Sequence, residues 1–95
     1  MKLASFFDVN AERIREAVSV ASLCERYGVE LVPCMGALMG SCPLCGKAEG
    51  FVVFPRENRW SCVGCKRVGG NLELVMEHEG MSFDRAAEEL GRFLK

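Results

Sequence analysis

Cys42-Pro-Leu-Cys45 and Cys62-Val-Gly-Cys65 are two C-x-x-C pairs with sixteen residues between them. Each pair can turn two sulfurs toward one metal ion. Glycine beside or within the pair (Gly46, Gly64) allows the tight turn and lets backbone N–H groups point at sulfur. Two such knuckles at the ends of a hairpin close a tetrahedral four-sulfur site, the donor set of structural zinc. Four protein ligands leave no position open for water or substrate, so the zinc is expected to be structural and not catalytic. Iron in a rubredoxin-like sulfur site is the competing reading, because C-P-x-C-G occurs in such knuckles. The second knuckle lacks that pattern, and the flanking helices do not suit it. Cys24, on an apolar helical face, and Cys34, in a turn, read as ordinary thiols. His78 reads as a residue of a solvated helix face.

The elements that must position these cysteines can be read from periodicity and caps. Asn10 can cap a first helix over Ala11 to Val18, and Ser19 a second. In the second, Val20, Leu23, Cys24 and Tyr27 recur on one helical face and Gly28 is a stop. Residues 29–41, apolar and punctuated by Pro33, Gly36 and Gly40, read as a strand, a turn and a strand. Phe51–Phe54 reads as a strand, Pro55–Asn58 as a turn and Arg59–Cys62 as the returning strand. The stretch Arg67–Asn71 reads as a loop. Asn71 is predicted to cap a helix running through Glu79 and ended by Gly80. Ser82 is predicted to cap a last helix with Phe83, Ala86, Ala87, Leu90 and Leu94 as its apolar stripe. The fold class is therefore α+β: a small zinc-ribbon antiparallel sheet of four to five strands, with helices at both termini, in one domain spanning residues 1–95.

Composition narrows the function. The chain has 95 residues, 49% hydrophobic and 26% charged, which is globular and not disordered. No apolar run reaches membrane-spanning length. The first residues do not form a secretory signal, and four of the six cysteines stand in doublets, which argues for metal in a reducing compartment, so the cytoplasm is the expected location. The net charge of −1 hides an asymmetry. Residues 42–70 carry five basic side chains (Lys47, Arg56, Arg59, Lys66 and Arg67) against two acidic ones, while residues 71–95 carry three against six. Four thiolates and a divalent zinc would add about −2 beside the basic group. That local balance permits nucleic-acid binding without demanding it.

These residues, in order, resemble the N-terminal zinc-binding domain of bacterial and phage DnaG-type primases. The resemblance rests on Cys42-Pro43, Phe51, Val53, Pro55, Trp60, Cys62-Val-Gly64-Cys65, Gly69-Gly70, Met76 and Ser82-Phe83, and covers nearly the whole chain. This chain departs from the family in three ways. Cys45 stands where the family has a histidine ligand, the following loop is about one residue shorter, and the hairpin Leu31–Met39 has none of the family's lysines. The resemblance implies an antiparallel sheet with zinc at one end and helices packed around it. It also implies a role in which the zinc domain contacts single-stranded template DNA and helps a separate catalytic domain start a primer. That toprim domain does not fit in 95 residues, so this chain is not expected to be an enzyme by itself.

Single-stranded DNA needs cations for phosphate and flat faces for bases. Lys47, Phe54, Arg56, Arg59, Trp60, Lys66 and Arg67 are the residues of that kind around the knuckles. Alternation sets Phe51 and Val53 on one face and Val52 and Phe54 on the other. By the family pattern the first pair is buried and Phe54 is free to stack, while Trp60 suits the core better than the surface. Three functions compete. The first is a monomeric template-binding zinc domain that works with a catalytic primase domain or another replication protein. The second is a zinc-stapled docking module that meets a replication protein through the uncharged Leu31–Met39 hairpin. The third is an iron protein for electron transfer.

Overall fold

The computed structural model describes residues 12–92. Five short strands follow one another in a single antiparallel sheet: β1 (Val32–Cys34), β2 (Ala37–Gly40), β3 (Phe51–Phe54), β4 (Arg59–Cys62) and β5 (Arg67–Gly69). Helices α1 (residues 12–17) and α2 (Val20–Arg26) precede the sheet, and α3 (Asn71–Glu79) and α4 (Phe83–Gly91) follow it. The α+β reading holds. Asn10, Ala11 and Leu94, expected in the terminal helices, lie outside the described residues.

Local chemistry sets most boundaries. The Ser19 hydroxyl accepts from the Ser22 N–H at 3.1 Å and starts α2. The Ser82 hydroxyl accepts from the Arg85 N–H at 3.3 Å and starts α4. Gly80, at φ 69°, closes α3 in the left-handed region that a side chain disfavours. The hairpin turn holds Asn58 at φ 57°, as its residue type allows.

Two sequence expectations are corrected. Arg67–Gly69 is a strand, paired with β4 so that Gly69 faces Trp60. A Cβ at Gly69 would lie 2.6 Å from the Glu73 Cβ and 3.3 Å from the Trp60 ring, so the glycine that looked like loop is where strand, helix and indole crowd together. Asn71 is not the cap of α3. Gly70 takes that position and its N–H donates to Glu73 Oε1 at 2.9 Å. The Asn71 side chain turns inward, 1% exposed, and donates to the carbonyls of Ile14 and Val18, each at 2.7 Å.

The core lies between one face of the sheet and the helices. Phe51, Val53 and Trp60 supply the sheet side. Ile14, Val18, Val20, Leu23, Leu72, Leu74, Val75, Ala86 and Leu90 supply the helical side. Burial along β3 alternates accordingly, with Phe51 and Val53 inside. Cross-strand partners share a face, so Val32, Met39, Val52, Ser61 and Val68 form one row across all five strands on the opposite, open side.

The tip of the β3–β4 hairpin is bound to the N-terminal helices through one side chain. Asn58 Nδ2 donates to the carbonyls of Arg15 and Val18 at 2.8 Å, and its Oδ1 accepts from the Val20 N–H at 2.8 Å. These are carbonyls near the end of α1 and the first amide of α2, groups that a helix cannot pair internally. Arg15 adds a two-pronged pair with Glu73, both contacts at 3.0 Å. Hydrogen bonds from Arg15 hold the Glu73 carboxyl at about 2, against the upward push of burial. A lowered carboxylate stabilises the fold above its ordinary value of 4.5 and loses that contribution as pH falls toward 2, so the pair is fully effective at neutral pH. Replacing Asn58→Gly keeps the left-handed backbone and removes three hydrogen bonds. It should lower the stability of the zinc-loaded protein by roughly 2–3 kcal/mol in denaturant unfolding. A loss below about 0.5 kcal/mol would mean that water replaces the side chain without cost.

Candidate metal centre and the adjoining sheet face

Cys42 precedes the first knuckle turn and Cys62 ends β4, so the second knuckle begins where the hairpin returns. In the first knuckle the Gly46 N–H donates to the Cys42 carbonyl at 2.9 Å, and Gly46 has φ 77°. The Cys42 N–H in turn donates to the Lys47 carbonyl at 3.0 Å, which closes the loop on itself. The second knuckle is fixed to the start of β3 by the Val63 N–H donating to the Gly50 carbonyl at 3.0 Å.

These turns bring Cys42, Cys45, Cys62 and Cys65 Sγ all within 4.8 Å of one another. Cys42 and Cys65 sulfurs are 4.0 Å apart, and those of Cys45 and Cys62 3.7 Å. A metal about 2.3 Å from each of four tetrahedral sulfurs requires separations of about 3.8 Å, so the donor set and its spacing fit zinc. Backbone N–H groups of Leu44 and Cys45 point at Cys42 Sγ, at 3.3 and 3.4 Å, and that of Cys65 at Cys62 Sγ, at 3.5 Å. Such donors offset part of the negative charge on metal-bound sulfur. Cys24 is buried in the core and Cys34 is exposed, and neither joins the group.

The metal-free thiols are unequal. Burial pushes Cys42 up to about 12. At Cys62, burial also pushes upward, but the Cys65 N–H and the neighbouring thiols outweigh it and lower the group to about 7. A metal arriving at neutral pH must displace protons from Cys42 and from Cys65, which burial also pushes upward, so binding weakens as the pH falls.

The structure sorts the cations and rings near this centre. Phe54 is exposed on the open face and pairs across the hairpin with Arg59, which is also exposed. Arg56 is exposed in the turn between them. Lys66 is exposed at the end of the second knuckle with φ 59°, in the position that Gly46 occupies in the first. Arg67 leaves the sheet toward α3, where it pairs with Glu77 at 2.8 Å. Trp60 is in the core, 1% exposed, with its indole N–H donating to the Gly70 carbonyl at 2.8 Å. It leaves no ring face for a base. Lys47 lies along the second knuckle, away from the hairpin turn.

A family model described as the CHC2 zinc finger, the zinc ribbon of DnaG, matches residues 7–95. The chain belongs to that family. Cys45 stands at the position where the family has a histidine, and its sulfur lies with the other three. Two DNA primases of Pseudomonas putida, one from strain KT2440, are each 39% identical over 46 residues. That match covers 48% of this chain and 7% of theirs. The crystal structure of the Aquifex aeolicus primase (zinc binding and RNA polymerase domains) superposes with a TM-score of 0.77 over 88% of this CHC2 domain. The superposition covers 21% of that chain at 22% identity, a likeness of fold.

A CHC2 zinc ribbon of this size depends on its metal. Structural zinc contributes on the order of 10 kcal/mol, comparable to the whole stability of a small domain. The protein should carry one zinc per chain by elemental analysis. Cys42→Ser and Cys62→Ser should each abolish that stoichiometry and the cooperative unfolding transition, while Cys34→Ser keeps both. Retention of zinc by the Cys62→Ser protein would refute the four-sulfur site.

Proposed function

We propose that this CHC2 domain holds single-stranded DNA template on the open face of its sheet and so assists primer synthesis by a separate catalytic domain. The observation that carries the reading is the composition of that face. An apolar row, Val32, Met39, Val52 and Val68 with Ser61 among them, crosses the sheet beside exposed Phe54. Arg56 and Arg59 stand at the turn end of the hairpin and Lys66 at the metal end, about 10 Å away along β4. Bases can lie on apolar and aromatic surface while phosphates meet cations on either side. Among the described residues, Arg56, Arg59 and Lys66 make no ion pair that would compete for them. The names of the relatives, DNA primases and a primase with an RNA polymerase domain, favour a role in replication.

Lys66 supports the same reading from strain. A non-glycine residue in the left-handed region costs about 1 kcal/mol, and the first knuckle avoids that cost with Gly46. We read the lysine at this position as a cation placed for phosphate.

A second reading draws on the β1–β2 hairpin. Met35 is fully exposed and Val32 63% exposed there, without a cation nearby in sequence, which suits a replication protein better than DNA.

Fluorescence anisotropy of labelled single-stranded oligonucleotides with zinc-loaded protein distinguishes the two. Saturable binding should weaken with salt, and removing Arg56, Arg59 and Lys66 together should reduce the salt slope by about 2. Lys66→Gly should weaken binding while raising stability by roughly 0.5–1 kcal/mol, opposite signs that a purely structural residue would not give. No binding even at low salt would remove the DNA reading and leave the hairpin as the docking surface.

A further inference from the structure

Gly64 sits inside the second knuckle with an ordinary, not left-handed, backbone, so conformation does not require glycine there. Space does. A Cβ at position 64 would lie 2.6 Å from Lys47 Cδ, 3.2 Å from Lys47 Cβ and 3.2 Å from Cys45 Sγ. The stem of Lys47 therefore crosses the second knuckle over Gly64, next to the sulfur of Cys45. Its far end passes Gly50, where a Cβ would lie 3.8 Å from Lys47 Cε. The same residue's carbonyl accepts from the Cys42 N–H, so Lys47 touches both knuckles.

Cys45 is the ligand that most needs such a neighbour. It is exposed, unlike Cys42 and Cys62, and backbone N–H groups reach Cys42 and Cys62 sulfurs, whereas none is directed at Cys45 among the described contacts. It is also the position at which a thiolate replaces a neutral ligand, which takes the filled centre from about −1 to about −2.

We propose that Lys47 is a positioning residue of the metal centre and not a template contact: its stem lies beside Cys45 across the glycine gap, and its ammonium offsets the charge that the fourth thiolate adds. A cation beside metal-bound sulfur lowers its electron density and hence its reactivity toward electrophiles. Gly64 is the vacancy that lets the stem lie there.

The test is the rate at which the zinc-loaded full chain gives up zinc to an organomercurial in the presence of a chromophoric chelator. Lys47→Ala should release zinc about two- to five-fold faster, the effect of one partly exposed charge. Lys47→Arg should return the rate to near the wild-type value. Gly64→Ala displaces the stem and should accelerate release as well, and the double variant should be no faster than the faster single one. Far-UV circular dichroism and zinc stoichiometry establish that each variant is folded and loaded at the start. Release from Lys47→Ala at the wild-type rate would overturn the proposal. So would a Lys47→Ala protein that releases zinc normally but loses DNA affinity, which would return Lys47 to the template face. Release from Lys47→Arg as fast as from Lys47→Ala would overturn the part assigned to charge.

Discussion

Four thiolates gathered within a few ångströms repel one another, and two of these sulfurs are also withdrawn from water. Without a divalent cation the sulfurs can share this space only where protons stay on thiols such as Cys42; with one the arrangement becomes the strongest single contribution to folding. The rest of the domain is arranged around that constraint. Both knuckles must arrive together, so the first is placed just before β3 and the second directly after β4, where antiparallel pairing brings them side by side. The β3–β4 hairpin is thus the piece of chain that closes the site.

A hairpin held at its base alone would be free to swing at its tip. Here the tip is held too. Asn58 binds the junction of α1 and α2, and Arg15, on the same helix, binds Glu73 at the start of α3. The Val18 carbonyl accepts from both Asn58 and Asn71, so one backbone oxygen joins the hairpin, the N-terminal helices and α3. Metal at one end and amide hydrogen bonds at the other leave the middle of the hairpin rigid. That middle is where Val52 and Ser61 face outward, with Phe54 and Arg59 next to them at the turn, and a binding face of the kind proposed gains from being rigid before its ligand arrives.

Legibility followed the range of the physics. The knuckles, the β3–β4 turn, the serine caps and the Gly80 stop are decided by residues within a few positions of one another, and reading their types in order was sufficient. Asn58 and Asn71 make contacts 38 to 57 residues away, and no local pattern announces them. Asn71 in particular has the residue type of a cap beside a helix start, so its local signal pointed to the wrong partner. β5 was hidden because three residues with a glycine read as loop until the Trp60 ring above Gly69 is seen. The open face was half legible. Alternation put Phe54 outside, but only the register shows that Val32, Met39, Val52 and Val68 form one row on the same face beside it.

The proposed template role requires that one small face stand next to an anionic centre and still attract phosphate, and the placement of charge meets that requirement. Five cations lie between residues 42 and 70, and a simple count sets them against two acids and a centre of about −2. The structure divides them by distance. Lys47 lies against the second knuckle, and Arg67 is engaged by Glu77 on the helical side. Both therefore spend their charge locally. Arg56 and Arg59 sit at the far end of the hairpin, roughly a Debye length from the sulfurs at physiological salt, where the cluster's field is screened. Lys66 stays beside the metal, at the cost of a strained backbone. A phosphate approaching the face therefore meets cations first at the turn, with the negative centre partly compensated behind it. This division makes the exchange of histidine for Cys45 compatible with an anionic ligand: the added negative charge is offset where it arises, and the cations of the turn remain available.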